Sequence, residues 1–165
     1  MTYEQFLKQL SGGDLKPVYL FTGPENYVKR AAVERARQAL LPEGLEPLNE
    51  AMLDGATAFQ VIEAAETLPV LCDRRLVVVN DLALLLPGRV RGEEEQVAAL
   101  CDWLGRAPDS CLTIFTVRDQ PDGRKKLTGE LKKRAETVLF SYLDDGSILK
   151  WANRELKPLG QSIAP

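Results

Sequence analysis

Any chemistry in this chain has to be built without an imidazole. The sequence contains no histidine, which removes Ser-His-Asp and Cys-His nucleophile systems, histidine general bases and mixed Cys/His zinc sites together. Its three cysteines, Cys72, Cys101 and Cys111, have no C-x-x-C spacing. Their odd number points to reduced thiols and so to a cytoplasmic setting. No pair of carboxylates stands out as an acid–base constellation, and neither a cofactor nor a metal is expected.

The spacing nearest to a reactive site is Gly23-Pro24-Glu25-Asn26-Tyr27-Val28-Lys29-Arg30, which follows an apolar run and opens a long helical pattern. Laid on G-x-x-x-x-G-K-[ST], Gly23 and Lys29 fall in register. Val28 stands where a second glycine would let backbone amides wrap phosphates, and Arg30 where a hydroxyl would hold magnesium. The turn keeps the outline of a nucleotide site and lacks the groups that make one work. Asn80-Asp81 ends the run Leu76-Val77-Val78-Val79, where a nucleotide-hydrolysing site would carry its acids. Leu82 takes the place of a second acid, so Asp81 is expected to turn or cap the chain. An ATPase working through Lys29 and Asp81 is the enzymatic alternative, against which Val28 and Arg30 weigh.

Two further clusters suit binding rather than catalysis. Arg124, Lys125, Lys126, Lys132, Lys133 and Arg134 are expected on one helix, anchored by Leu127 and Leu131 at i, i+4. Such a cluster contacts nucleic-acid phosphates or simply solvates a helix face. The absence of interleaved aromatics and a formal charge of −3 favour the solvated face. The other cluster is Leu68-Pro69-Val70-Leu71. Pro69 cannot continue a helix and keeps its predecessor out of helical geometry, so these apolar side chains sit at a corner. They either plug the end of the core or stand out as a knob for a partner protein. Composition alone favours the plug, because exposed apolar patches are uncommon on monomers.

The elements that position these residues are readable in order. At 165 residues and 45% hydrophobic, the chain suits one domain with a sizeable core, or one domain with a small appendage. The N-terminus has no signal pattern, and no apolar run approaches the roughly 20 residues of a membrane span, so no membrane is expected. Thr2 and Thr57 begin capping boxes closed by Gln5 and Gln60. The first predicts a helix over 3–10; the second predicts one with Phe59, Ile62, Ala64 and Ala65 toward the core. Strands are predicted over 17–22, 48–53, 76–79, 111–117 and 137–141. Helices fill about 25–41, 93–106, 124–134 and 144–159, and 82–91 and 118–123 are expected as loops. Strands alternating with helices give an α/β fold with a largely parallel sheet.

Several of these segments carry a resemblance. Pro17-Val18-Tyr19-Leu20-Phe21 before the ruined P-loop, Asp54-Gly55 before the next long helix, and Thr67 through Val79 together resemble the delta subunit of the bacterial DNA polymerase III clamp loader. The basic segment and the Trp151 helix ending at Gly160 fit the same pattern. The resemblance implies an AAA+-like, degenerate P-loop domain over residues 1–141 that does not hydrolyse ATP. Residues 142–165 would begin a helical lid domain, with the collar domain absent. It also implies a partner, the ring-shaped sliding clamp (beta), gripped by Leu68, Val70 and Leu71 so that the ring opens for DNA. Many relatives have phenylalanine where this chain has Leu71, so an aromatic anchor is lacking. Other clamp-loader subunits would be met through the collar, and DNA would be met only within the assembled loader.

Overall fold

The structure, a computed structural model, describes residues 1–142 and 145–163. Five strands, β1 (Val18–Thr22), β2 (Glu50–Asp54), β3 (Arg75–Asn80), β4 (Cys111–Thr116) and β5 (Glu136–Leu139), form one parallel sheet in the order β2-β3-β4-β1-β5. Every pairing is parallel, from Glu50 opposite Leu76 at one edge to Thr22 opposite Leu139 at the other. In the central strands β1, β3 and β4 nearly every residue is buried, whereas edge strands β2 and β5 are only partly covered. That is why the central runs lack hydrophobic alternation: both faces are packed.

Side chains still divide by face. Val18, Leu20, Val77, Val79 and Phe115 point into one core with α4 (Ala58–Glu66), α5 (Glu93–Leu104) and α6 (Lys126–Arg134). Tyr19, Phe21, Leu76, Val78, Leu112 and Ile114 point into the other, covered by α1 (Tyr3–Gly12) and α2 (Asn26–Leu40). The chain crosses from β1 over α2 to the far edge, then returns across the opposite face. This keeps the crossovers right-handed.

The two capping boxes form as expected, at Thr2 with Gln5 and Thr57 with Gln60. Several local expectations are corrected. Residues 48–53 are not one strand: a short helix, α3 (Glu46–Asn49), comes first and β2 starts at Glu50. Phe59 is 48% exposed; of the other residues expected inward, Ala65 is fully buried and Ile62 and Ala64 pack partly on the core, while Ala58 and Val61 complete the buried stripe. The stretch 82–91 contains a 3₁₀ turn, Ala83–Leu85, that buries Leu84 and Leu85 beside Leu82. Arg124 and Lys125 precede α6 rather than belonging to it.

After β5 the chain forms α7 (Asp145–Leu156) and a 3₁₀ turn, Lys157–Leu159, stopped by left-handed Gly160. The expected cap at Asp144 lies outside the described residues. Trp151 packs on the α1/α2 core and meets Tyr27 edge-on at 5.2 Å. Arg35 pairs with Glu155 at 3.2 Å and Arg154 with Glu4 at 3.6 Å. Ile163 is tied back through its backbone to the Asn153 side chain, so part of the terminal segment has a partner that the sequence did not reveal. No described helix is long and apolar enough to cross a membrane.

Candidate functional site

Parallel strands send both ends of the sheet different candidates. At the carboxyl ends, where α/β folds usually bind ligands, a cleft of about 680 Å³ lies between α2 and strands β2 to β4. Lys29 and Asp81 both line it, and Gly23 lies beside it, bonded to Lys29. Gly23 has φ 107°, and a Cβ on it would run into the Phe140 carbonyl; only glycine fits. This close approach seals the turn against the segment after β5, since Glu25 N–H also donates to the Phe140 carbonyl at 3.1 Å.

Lys29 is 4% exposed. Its ammonium donates to the carbonyls of Gly23 at 2.6 Å, Val117 at 2.5 Å and Arg118 at 2.9 Å. Those three bonds use all three ammonium donors. Burial lowers its pKa from the usual lysine value, with the carboxylates of Asp81, Asp119 and Glu25 pulling the other way. The lysine that would hold a phosphate in a P-loop here ties the β1 turn to the loop after β4.

Asp81 turns the chain in left-handed geometry, φ 46°. Its carboxylate accepts from the Arg118 backbone N–H at 3.0 Å and from Arg118 Nε at 3.1 Å. Asn80 Nδ2 donates to Asp54 at 3.0 Å, and its Oδ1 accepts from Thr116 Oγ1 at 2.9 Å. Arg37, on the cleft wall, is taken by Glu50 and Glu34. Among the described residues no cluster of three metal-ligating side chains occurs. Lys29, Asp81, Asn80 and Arg37, all lining the cleft, are each engaged by other protein groups.

The basic segment is similarly engaged. Arg124 grips Asp122, whose carboxyl is held down to about 2 by the side-chain and backbone hydrogen bonds from Arg124. Lys125 donates to the Gly88 carbonyl and to Glu93 at 2.7 Å, and this bond lowers the Glu93 carboxyl pKa. Lys133 and Arg134 both pair with Glu130. Among the described residues, Lys126 and Lys132 are the two members of the cluster without an ion pair.

The amino ends of the strands carry the opposite arrangement. Between α4 and β3 the turn holds Leu68 75%, Val70 42% and Leu71 83% exposed. The plug of the core is therefore excluded as the role of these side chains. Leu71 sits at φ 56°, a left-handed conformation that costs a non-glycine residue roughly 1–2 kcal/mol. The turn is tied at both ends. Thr67 caps α4 through N–H and Oγ1 bonds to Glu63, and Arg75 N–H donates to the Ser110 carbonyl at 3.0 Å. Arg74 Nη1 reaches the Leu15 carbonyl at 3.2 Å. Its middle is held by Asn49, whose carboxamide accepts from Val70 N–H at 2.6 Å and donates to the Val70 carbonyl at 2.9 Å. Leu48, 53% exposed, precedes it and extends the apolar surface at this end.

Sequence reading missed Asn49 and Leu48 because it placed both in a strand. The signal available was Asn49 itself, a residue type depleted from strands and suited to side-chain–backbone bonding.

Comparison with known proteins points one way. Residues 19–141 match the family model described as DNA polymerase III, delta subunit. The curated DNA polymerase III subunit delta of Bacillus subtilis (strain 168) is 34% identical over 133 residues, covering 78% of this chain and 38% of that protein. The solved structure of the Bacillus subtilis DNA clamp loader delta protein superposes with TM-score 0.78 at 26% identity, over 99% of this chain and 49% of that one. A DNA polymerase III gamma subunit-related protein from Thermotoga maritima superposes with TM-score 0.60 at 15% identity, over 96% of this chain and 54% of its own, a likeness of fold alone. The chain thus spans about half the length, or less, of these relatives.

Proposed function

The chain belongs to the DNA polymerase III delta subunit family, and on that footing we propose that it is the clamp-binding part of a clamp-loader delta subunit. It grips the sliding clamp through Leu68, Val70 and Leu71 and helps open the ring for loading onto DNA. No catalysis of its own is assigned to it, and contacts with other loader subunits belong to the remainder of a full-length delta subunit. The supporting observation is the turn: three aliphatic side chains held out into solvent by a backbone tied at both ends and in the middle. Fully burying an aliphatic side chain is worth about 1.5–3 kcal/mol, so two or three make a small hot spot. Leu71 fills the leading position without an aromatic ring, which reduces the area each contact can bury.

The nucleotide reading is disfavoured by Lys29, whose donors are committed to backbone carbonyls. The DNA-binding reading is disfavoured by the acidic partners of the basic segment. The test is equilibrium binding of the chain to the purified sliding clamp of the same source, beside a folded Val70→Ala, Leu71→Ala double variant. The expected outcome is binding by the parent and a loss of at least about 100-fold in the double variant. Equal binding by the two would move the contact elsewhere.

A further inference from the structure

We propose that Asn49 is the positioning residue of the clamp-binding turn, acting only by holding Val70 and its neighbours in a bound-like shape. This rests on reading Leu68, Val70 and Leu71 as the clamp contact.

Asn49 is fully buried at the end of α3. A primary amide offers two donors and an oxygen acceptor, and a buried one must find partners. Here Nδ2 donates to the Val70 carbonyl at 2.9 Å and to the Leu45 carbonyl at 3.1 Å, while Oδ1 accepts from Val70 N–H at 2.6 Å. The two bonds to Val70 copy, with one side chain, the reciprocal pair that two antiparallel strands exchange. They fall at one residue of the turn, 21 positions along the chain. A shift of the turn by one residue in either direction would break both and leave a buried amide unsatisfied, which is costly.

The placement has a mechanical consequence. Pro69 fixes its own φ, Val70 is clipped by Asn49, and Leu71 follows in the left-handed region. Three successive residues are therefore constrained, and the exposed leucines on either side of Val70 cannot fold back on the surface. Released from the clip, the same residues would have to be ordered when the clamp binds, at about 0.5–1.5 kcal/mol for each immobilised side chain. Asn49 has no exposed surface to offer a partner, so its effect on binding has to pass through the turn.

The experiment measures clamp affinity for the parent, Asn49→Ala, Leu71→Ala, the Asn49→Ala, Leu71→Ala pair, and the Val70→Ala, Leu71→Ala variant. Amide exchange at Val70 and Ile114 is measured alongside. In the unsubstituted chain the Val70 amide is expected to be protected while the Leu68 and Leu71 amides exchange fast, a reading that needs no variant to fold. In Asn49→Ala, Val70 protection is lost, Ile114 in β4 stays protected, and clamp binding weakens about tenfold. In the Leu71→Ala background the same change costs less than about threefold, because the most exposed of the side chains being positioned is already gone. Fast exchange at Val70 in the parent, parent-like affinity of Asn49→Ala, or a full tenfold loss in the Leu71→Ala background would each overturn the role. If instead Val70→Ala, Leu71→Ala binds like the parent, the clamp reading of the turn itself fails, and that outcome is distinguishable from the others.

Discussion

The two ends of the sheet have opposite economies of polar and apolar groups. At the carboxyl ends, around the cleft, Lys29 is bound by backbone carbonyls and Asp81 by Arg118. At the amino ends, the turn before β3 directs apolar side chains outward and satisfies its backbone with a buried amide. A protein built for catalysis would leave the first set free and cover the second. This one does the reverse, and on the proposed reading its working surface lies at the amino ends of the strands.

That contrast can be broken most forcefully at Lys29. Replacing it by methionine keeps the bulk and strips three carbonyls of their donor. The expected loss is about 2–4 kcal/mol of stability, read as a fall of about 10 °C in a thermal melt. Clamp affinity of the folded protein should be unchanged. A parent-like melt would mean that the ammonium is not tying the β1 turn to the loop after β4, and the nucleotide reading would return.

A smaller effect separates strain from contact at Leu71. Glycine accepts φ 56° without a Cβ penalty, so Leu71→Gly is expected to raise stability by about 0.5–1 kcal/mol in denaturant unfolding. The same change should weaken clamp binding by more than about tenfold. Opposite signs in one variant would show that the turn holds a costly conformation for the sake of its surface. Falling stability would show that Leu71 packs in the free chain after all.

The smallest effect lies in the basic segment. Asp122, gripped by Arg124, should titrate at about 2 in a carbon-detected NMR experiment. In Arg124→Ala it should return toward the usual aspartate value. Because the folded-state pKa is depressed, whatever the pair adds to stability is present above the unfolded value near 4. It is lost as pH falls toward 2. An unshifted Asp122 would free Arg124 for other partners and strengthen the case for phosphate contact.

Much of this was legible in the residues, unevenly. The unalternating run at 76–79 announced a buried central strand, those at 17–22 and 111–117 announced strands, and Val28 and Arg30 already spoiled the P-loop. The convergence of Gly23, Lys29 and Asp81 followed from strand-end positions in a parallel sheet. What escaped depends on partners far along the chain. The Val117 and Arg118 carbonyls lie 88 and 89 residues from Lys29, and no local pattern predicts a lysine satisfied by backbone. Glu93 pairs with Lys125 across 32 residues, so the basic segment read as freer than it is. Phe59 was placed inward by helical spacing together with Ala65, but the buried stripe of α4 joins Ala65 to Ala58 and Val61 and leaves Phe59 outside. Exposure of the turn was not decidable from apolar content alone, since a plug and a knob share the same residues. The resemblance implied the knob, and the structure shows these side chains exposed.

The most direct measurement of the central claim is an amide-exchange footprint of the chain with and without saturating sliding clamp. Protection gained over residues 67–72, with residues 23–30, 80–81 and 116–118 unchanged, is the predicted result. Protection gained at the cleft with none at the turn would contradict the account, because the working surface would then lie at the carboxyl ends of the strands.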